Sequence, residues 1–296
     1  MKKKWNGYRV FTVFNNIFMF FIVLITAYPI YYVLIASVSD PAALSRQTGL
    51  LWKPLQPLTL NAYKMVLENK LILSGFRNTF FVLAMGLLIN LTMTMLGAFF
   101  LSLKGPMFKN AVAMMIVFTM YFSGGLIPEY LNIMDLGLGN SLWSLILPVA
   151  VNTTNLIIMK SAFEAIPDSL SESARLDGAS YLQVLVKIMV PLSKATIAVL
   201  VLYYAVAHWN SWFSASIYLR DSSLYPLQLV LRNILTSLED NTKKSSFAGV
   251  GYDEMARVAE LMKYALIVVA TTPILIFYPF LQKFFVKGVM IGAVKG

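Results

Sequence analysis

Six long stretches that contain no Asp, Glu, Lys or Arg constrain the fold of this chain more than any other feature. They are the segments 11–38, 78–103, 110–128, 136–159, 195–219 and 264–282. A helix needs about 20 apolar residues to cross a hydrocarbon layer about 30 Å thick, and the stretches have that length or more. We therefore predict an all-α polytopic membrane protein with six transmembrane helices.

The composition excludes an ordinary water-soluble domain. Hydrophobic residues make up 58% of the 296 residues and charged residues only 13%, whereas soluble domains have roughly half apolar and about a quarter charged residues. The Lys-rich start does not indicate a cleaved signal, because the apolar run that follows it is too long. We expect a retained first span and a multi-pass location in a cell membrane.

The distribution of Lys and Arg predicts the orientation, because short cytoplasmic segments of membrane proteins carry these residues in excess. With the N-terminus inside, the inner segments are 1–10, 104–109, 160–194 and 283–296. They hold 13 basic and 4 acidic residues, whereas the outer segments hold 11 basic and 10 acidic residues. We predict a cytoplasmic N-terminus at 1–10, one membrane domain at 11–282 and a cytoplasmic tail at 283–296.

Charge and residue content limit what the chain can bind or catalyse. The net charge of +10 needs no nucleic acid, since anionic lipid headgroups on the inner leaflet attract basic segments. There is no Cys, and His208 is the only histidine, so the side chains needed for a Ser-His-Asp triad or a metal site are missing. No Gly-rich phosphate loop ending in Lys-Ser or Lys-Thr occurs. We predict a chain that is not an enzyme and binds no cofactor or metal.

The inner segment 160–194 differs from the others because its sequence predicts ordered structure. Pro167 and Asp168 are typical of the first turn of a helix, where a fixed φ and a negative charge are both favourable. This helix should run from Asp168 to Leu176 and end at Gly178, because glycine readily adopts a positive φ.

A second helix should begin where Ser180 and Gln183 have the spacing of a capping box, and it should run until Pro191 interrupts it. Small side chains keep the first helix narrow enough to enter a cleft on another protein: Ser171, Ser173, Ala174 and Gly178. An ordinary pair of helices at the membrane surface fits this pattern equally well.

A sequence motif in this segment favours the first interpretation. It consists of Glu172-Ser173-Ala174, three residues, Gly178, nine residues, Ile188, and Val190-Pro191. It resembles the Glu-Ala-Ala loop of the membrane subunits of ATP-binding-cassette (ABC) importers. Ser173 and Val190 replace the more usual Ala and Leu, and the motif precedes the last two of six predicted spans, as it does in that family.

Other segments resemble the carbohydrate branch of that family: Ile166-Pro167-Asp168-Ser169-Leu170, Arg175-Leu176-Asp177-Gly178-Ala179-Ser180, Trp209-Asn210, Phe285-Val286-Lys287-Gly288 and Gly292-Ala293-Val294-Lys295-Gly296. Within the branch, the chain resembles the maltose-type permease with a cytoplasmic tail and the subunits that serve complex-polysaccharide and uronate-oligosaccharide uptake. The resemblance implies a type I ABC importer fold and an oligosaccharide permease in the bacterial cytoplasmic membrane.

The resemblance also implies partners and residue roles. The partners would be a second homologous permease subunit, two ATPase subunits that use ATP and Mg, and an extracytoplasmic sugar-binding protein. Residues that couple the loop to the ATPase would be Glu172, Ala174, Asp177, Gly178, Ala179, Ile188 and Pro191. Glu172 would be a charged docking contact, Gly178 a turn that permits close approach, and Pro191 the break before the fifth span.

Polar and aromatic side chains inside the predicted spans are candidates for an oligosaccharide path. They are Asn90, Asn152, Asn155, Tyr204, His208, Trp209, Asn210 and Trp212. We expect Asn152 and Asn155 on one face near the middle of the fourth span, and His208 and Asn210 deep in the fifth. Polar groups at that depth are often functional, and sugars pair hydrogen bonds with aromatic faces. Hydrogen bonding between helices is the alternative for each polar residue.

Other functions stay open at this point. An ABC importer for peptides or another small solute would share the loop. A secondary transporter would have to explain the helix pair of 160–194 and the absence of charges in the spans to couple protons. A membrane enzyme lacks catalytic groups.

Two further segments are expected to contact different partners on opposite sides of the membrane. Part of the outer segment 220–263 should reach into the sugar cleft of the binding protein, with a mobile connector around 239–244 as the alternative. The tail 283–296, which carries Lys287, Gly288, Gly292 and Gly296, should reach between the ATPase subunits.

Overall fold

The computed structural model describes residues 7–245, 261–276 and 279, and every regular element in these ranges is helical. The α-helices are α1 Gly7–Ala36, α2 Pro41–Arg46, α3 Asn61–Glu68, α4 Lys70–Ser102, α5 Lys109–Tyr121, α6 Leu126–Asp135, α7 Thr153–Glu164, α8 Asp168–Leu176, α9 Tyr181–Val184, α10 Val190–Leu192, α11 Lys194–Trp209, α12 Trp212–Tyr218, α13 Leu227–Ser245 and α14 Leu261–Ile276. The all-α prediction is therefore confirmed for the described part of the chain.

Contacts divide the described residues into two compact units. One unit contains the residues up to Asn69 together with those from Asn233 to Thr272. The other contains the residues from Lys70 to Arg232 together with those from Pro273 onward. Both candidate functional regions of the sequence lie in the second unit.

Two helices are individually long and apolar enough to cross a membrane. The helix α1 has 30 residues and α4 has 33, and these helices correspond to the first two predicted spans. No residue in the most apolar window of α1 is buried, so its apolar side chains face outward, as they do on a surface that lipid or another subunit covers.

The third and fifth predicted spans are broken helices. The axes of α5 and α6 differ by 118°, and the chain between them passes through Gly125 at φ +89°. The helix α11 meets the preceding helical segment at 86° and ends at Trp209, before the separate short helix α12. Over the described residues, two helices are long and apolar enough to cross a membrane, or four candidates if each bent pair counts as one span. The total of six stays a prediction.

The prediction of a continuous fourth span at 136–159 was wrong. The chain there makes a turn after α6, a short 3₁₀-helix at Leu142–Leu145 and an irregular stretch, and α7 begins only at Thr153. Left-handed backbone at Gly137 (φ 69°) and Asn140 (φ 51°) breaks the helix, and the backbone NH of Asn140 bonds to the Tyr218 carbonyl at 2.9 Å. Hydropathy detected an apolar segment but carried no information about these backbone conformations.

The core of the second unit forms where α4 packs against α7 and α11. Its buried side chains are Ala98, Phe99, Met159, Phe163, Val184, Leu185, Met189, Leu200 and Tyr204. Near its other end, α4 holds the chain after α12, because Asn78 Nδ2 donates to the Ser223 carbonyl at 2.7 Å and Thr79 Oγ1 accepts from the Leu227 backbone NH at 2.9 Å. One helix thus organises both ends of the unit.

The first unit has its own small apolar cluster. Ile35, Ala36, Leu44 and Leu51 are buried together, and Tyr264 of α14 packs against them. Asp40 caps α2 by accepting a hydrogen bond from the Ala43 backbone NH at 2.8 Å. The cluster therefore ties the end of α1 to the polar chain that follows it.

Several sequence predictions fall at the limits of the described residues. Residues 239–244, where the alternative was a mobile connector, lie within α13. The helix α14 covers 264–276 of the predicted sixth span. The remainder of that span except residue 279, most of the expected binding-protein contact after Ser245, and the tail 283–296 lie outside the described residues.

Gly86 in α4 generates a prediction about stability. A Cβ atom at this position would lie 2.8 Å from two ring carbons of His208, closer than carbon atoms pack. We expect Gly86→Ala to lower the free energy of unfolding by about 1–3 kcal/mol, the usual cost of overpacking, measured by thermal unfolding of the purified complex.

Gly97→Ala on the same helix is the matched control, because its Cβ would meet only the flexible end of the Leu156 side chain. Adding His208→Ala to Gly86→Ala should restore part of the loss. Equal melting temperatures for the two single glycine variants would contradict the packing described here.

Candidate functional site

The loop before α11 contains the helix that the sequence predicted. The helix α8 runs from Asp168 to Leu176, with Pro167 at its N-cap, and Gly178 has φ +85° directly after it. Such a backbone conformation is strained for residues with a Cβ, so the glycine ends the helix as expected.

The second helical segment also begins as predicted. Ser180 Oγ accepts from the Gln183 backbone NH, and Gln183 Oε1 accepts from the Ser180 backbone NH at 2.8 Å, so the capping box is complete. The segment continues through a π-turn at Leu185–Met189 and through α10, and the 86° bend falls at Ser193. Pro191 therefore lies in the last turn, two residues before the break rather than at it.

The two helical segments are anchored to the helix core and to each other. Ala174, Ala179 and Ile188 pack against the buried cluster to which α4, α7, α11 and the second helical segment all contribute. The Arg175 guanidinium lies over the Tyr181 ring at 4.4 Å, a cation–π contact between α8 and α9. A displacement of this helix pair would therefore also displace the helices whose side chains it contacts.

The exposed side of α8 is narrow and mostly polar, although two leucines of this helix, Leu170 and Leu176, are also exposed. Glu172, Ser173 and Asp177 are exposed, and Leu176 is 90% exposed. No partner chain is present in the structure, so the roles predicted for these residues in ATPase coupling stay predictions.

A cleft of about 820 Å³ lies between α8 and the short connection from α4 to α5. Lys104 of that connection forms an ion pair with Asp168 in the first turn of α8. The hydrogen bond to Asp168, together with the charge of that carboxylate, raises the pKa of Lys104. Sequence patterns gave no signal for this contact, because the two residues are far apart in the chain.

A second cavity of about 430 Å³ lies near the irregular stretch before α7. Its lining residues are Glu129, Ser144, Leu145, Pro148, Val149, Asn152, Thr154, Asn155, Tyr203, Tyr204, Ala207, His208, Ser211, Ser214 and Tyr218. Ligand pockets commonly have volumes of about 300–1,000 Å³, so this cavity can accept a small group such as a sugar residue.

Four of the eight residues predicted for a substrate path line this cavity: Asn152, Asn155, Tyr204 and His208. Their positions differ from the sequence prediction, because Asn152 caps the start of α7 and its Oδ1 accepts from the Asn155 backbone NH at 3.0 Å. The pair therefore lies at a helix start and not in the middle of a continuous span.

The other four predicted path residues do not line the cavity. Asn90 is fully buried behind it. Trp209 packs edge-on against Phe80, and the Arg232 guanidinium lies 3.7 Å from the Trp212 ring centroid. Asn210 is exposed at the C-cap of α11 and donates to the Val206 carbonyl at 2.9 Å, and its predicted place deep in a span stays a prediction.

Hydrogen bonds from α4 and α11 hold the irregular stretch that borders the cavity. Asn90 Nδ2 donates to the carbonyls of Val149 at 2.6 Å and Ala150 at 3.0 Å, and Asn90 Oδ1 pairs with His208 Nε2 at 2.7 Å. The Tyr204 hydroxyl accepts from the Asn152 backbone NH at 3.1 Å. The bilayer core contains no water to hydrogen-bond free backbone groups, so these side-chain hydrogen bonds satisfy them instead.

The sequence patterns did not single out Glu129, which lines the cavity. Tyr218 donates to Glu129 Oε1 at 3.2 Å across a long sequence separation, which no local pattern predicts. Among the residues that the structure describes, no group of three His, Cys, Asp or Glu side chains could hold a metal ion.

Similarity to known proteins covers nearly the whole chain. Residues 106–291 match the family model described as binding-protein-dependent transport system inner membrane component. Protein LplC of Bacillus subtilis is 40% identical over 97% of this chain and 96% of LplC. The polygalacturonan/rhamnogalacturonan transport system permease protein YtcP of the same organism is 40% identical over 80% of this chain and 82% of YtcP.

A solved structure has a closely similar fold. It is the crystal structure of a bacterial ABC transporter involved in the import of the acidic polysaccharide alginate. The matched chain is 30% identical, with a TM-score of 0.84 over 96% of this chain and 100% of that chain.

Asn90 provides a test of how the irregular stretch is held. Asn90→Leu removes the donors to the Val149 and Ala150 carbonyls and the partner of His208, so we expect the free energy of unfolding to fall by about 1–3 kcal/mol for each buried group left unpaired. Asn110→Leu is the control, because Asn110 is exposed on α5. Thermal unfolding of both variants measures the effect, and similar losses would contradict a specific role for Asn90.

Proposed function

Because this chain belongs to the family of binding-protein-dependent transport system inner membrane components, we propose that it is one of two membrane subunits of an ATP-driven importer of oligosaccharides. Its resemblance to the membrane subunits of carbohydrate ABC importers is confirmed by the family match and by close relatives. The remaining partners would be two ATPase subunits, which use ATP and Mg, and an extracytoplasmic sugar-binding protein.

The observation that carries this proposal is the ordered helix pair of α8 and α9 in a chain without a nucleotide-binding motif. Val184 of α9 is part of the buried cluster that also contains residues of α4, α7 and α11, and Ala174 of α8 packs against this cluster, while Glu172 and Leu176 remain exposed. If the exposed side of α8 binds in a groove of an ATPase subunit, closure of the ATPase dimer by ATP could move α8 and α9. The loop would lie on the cytoplasmic side, together with both termini.

Two helices, α7 and α11, connect the loop with the cavity and could transmit this movement. The helix α7 begins beside Asn152 and ends four residues before α8, and α11 begins at the Ser193 bend and carries His208. Both helices therefore connect the loop with the cavity through continuous hydrogen-bonded backbone. ATP and the loaded binding protein would each favour the outward-open state and so share one equilibrium.

The substrate class follows from relatives and from the cavity chemistry. YtcP is named for polygalacturonan and rhamnogalacturonan transport, and the solved relative is involved in alginate import. Asn155, Tyr203 and Ser214 place amide and hydroxyl groups around the cavity, which suits sugar hydroxyls. We infer that the cargo is an oligosaccharide derived from a complex polysaccharide, including those that contain uronic acids.

Charge reversal in the loop tests the coupling role. Glu172→Lys should reduce uptake at least about tenfold and abolish stimulation of the ATPase by the binding protein, because a docking contact worth about 1.4 kcal/mol changes an equilibrium tenfold. Glu68→Lys, at an exposed carboxylate of α3, is the control for charge reversal. Parental uptake and stimulation in Glu172→Lys would exclude Glu172 as a docking contact.

Gly178 permits a second test of the same loop. Asn and Asp both tolerate left-handed backbone, and no atom lies within 4 Å of a Cβ placed at Gly178. Gly178→Asn and Gly178→Asp should therefore fold alike. If a partner approaches this turn closely, both variants should lose uptake, with the greater loss in Gly178→Asp if that partner surface is acidic. Parental uptake in both would contradict the close approach.

A substrate panel tests the function itself. Purified complex in liposomes, supplied with its binding protein, should show ATPase stimulation and uptake with oligogalacturonates or other polysaccharide-derived oligosaccharides but not with di- and tripeptides. Stimulation by peptides alone would replace the carbohydrate assignment by the peptide alternative.

A further inference from the structure

The cavity beside α7 has an unusual charge for a chain with two relatives that are named for the transport of acidic polysaccharides. Its 15 lining residues include one carboxylate, Glu129, and neither Lys nor Arg. His208 is the only other lining residue able to carry a positive charge, and its Nε2 is already paired with Asn90 Oδ1. We call the lining residues of this cavity its wall. The wall therefore contains no fixed cation that could attract the carboxylate of a uronic acid.

The Glu129 side chain is held in place at this wall. It lies in the first turn of α6, where the helix dipole favours a negative charge. The Tyr218 hydroxyl donates to Glu129 Oε1 at 3.2 Å, and the Tyr218 ring stacks on Tyr130. Glu129 Oε2 has no hydrogen-bond partner among the described residues. One carboxylate oxygen is therefore available to accept from a ligand.

Asn155 supplies an independent indication that a polar ligand occupies the cavity. The residue is only 5% exposed and lines the cavity. Its backbone NH bonds to Asn152 Oδ1, but neither atom of its side-chain amide has a hydrogen-bond partner in the described part of the chain. The residue is buried as a whole, but its amide is accessible from the cavity and can bind a polar group there. A hydroxyl group can satisfy both its donor and its acceptor.

We propose that Glu129 determines the charge selectivity of this cavity, so that the wall accepts the hydroxyl-bearing edge of a sugar residue and repels a carboxylate. The inference rests on the proposed function, because it assigns the orientation of the oligosaccharide in the same importer. Glu129 is exposed to solvent, and two negative charges a few ångströms apart repel each other even in a hydrated site. A uronate-containing oligosaccharide therefore passes with its carboxylates turned away from this chain.

Trigalacturonate and its methyl ester are suitable probes, because they share the same rings and hydroxyl groups and differ in charge. The measurement is the ratio of initial uptake rates, ester over free acid, by the complete complex with its binding protein in liposomes. Each variant is compared with the parental ratio, so any preference of the binding protein cancels.

Glu129→Gln should lower the ratio about fivefold to tenfold, the order that Coulomb's law gives for like charges a few ångströms apart in a partly hydrated site. Ser214→Asp adds a second carboxylate to the same wall and should raise the ratio by a similar factor. Asp135→Asn is the matched control, because it removes the same charge from an exposed position of α6 that does not line the cavity. Its ratio should stay at the parental value.

The outcomes separate this inference from the proposed function. If all complexes take up both saccharides and neither Glu129→Gln nor Ser214→Asp changes the uptake ratio, the inference is overturned but the proposed function stands. Equal shifts in Glu129→Gln and Asp135→Asn would also overturn it, since they would indicate a general effect of net charge. If the parental complex took up neither saccharide, the carbohydrate function would fail and the inference would fail with it.

Discussion

The arrangement of the second unit depends on satisfying the backbone groups of an irregular stretch inside an otherwise apolar chain. Between the 3₁₀-helix and α7 the backbone is not helical, so its carbonyl and amide groups need other partners. Asn90 and Tyr204 supply them from α4 and α11, at Val149, Ala150 and Asn152. Because these bonds join three elements, they fix the start of α7 and thereby the shape of the cavity.

The same contact explains why a glycine lies in the middle of α4. His208 can pair with Asn90 only if its ring lies against the α4 backbone, and any side chain at Gly86 would occupy that space. Gly costs helix stability relative to Ala, so its presence in a long helix indicates a packing requirement. Gly86 therefore belongs with the polar cluster although it makes no hydrogen bond of its own.

The loop and the cavity obtain their geometry from different kinds of interaction. A helix start, a left-handed glycine and a capping box define the loop, and all of these act within a few residues. The loop structure from Asp168 to Gln183 could therefore be predicted from the sequence, with the exception of contacts such as Lys104 with Asp168. The cavity depends on pairs such as Glu129 with Tyr218, which are separated by 89 residues.

The sequence by itself determined the helical class, the apolar character of the spans, the helix pair before α11 and the family resemblance, because each follows from composition or from short-range patterns. Only the tertiary structure decided where the spans break, which polar residues face the cavity and that Glu129 is among them. Apolar composition is compatible with both helical and irregular backbone. The choice between them at Val149 to Asn152 depends on hydrogen bonds donated and accepted by α4 and α11, which are distant in sequence and adjacent only after folding.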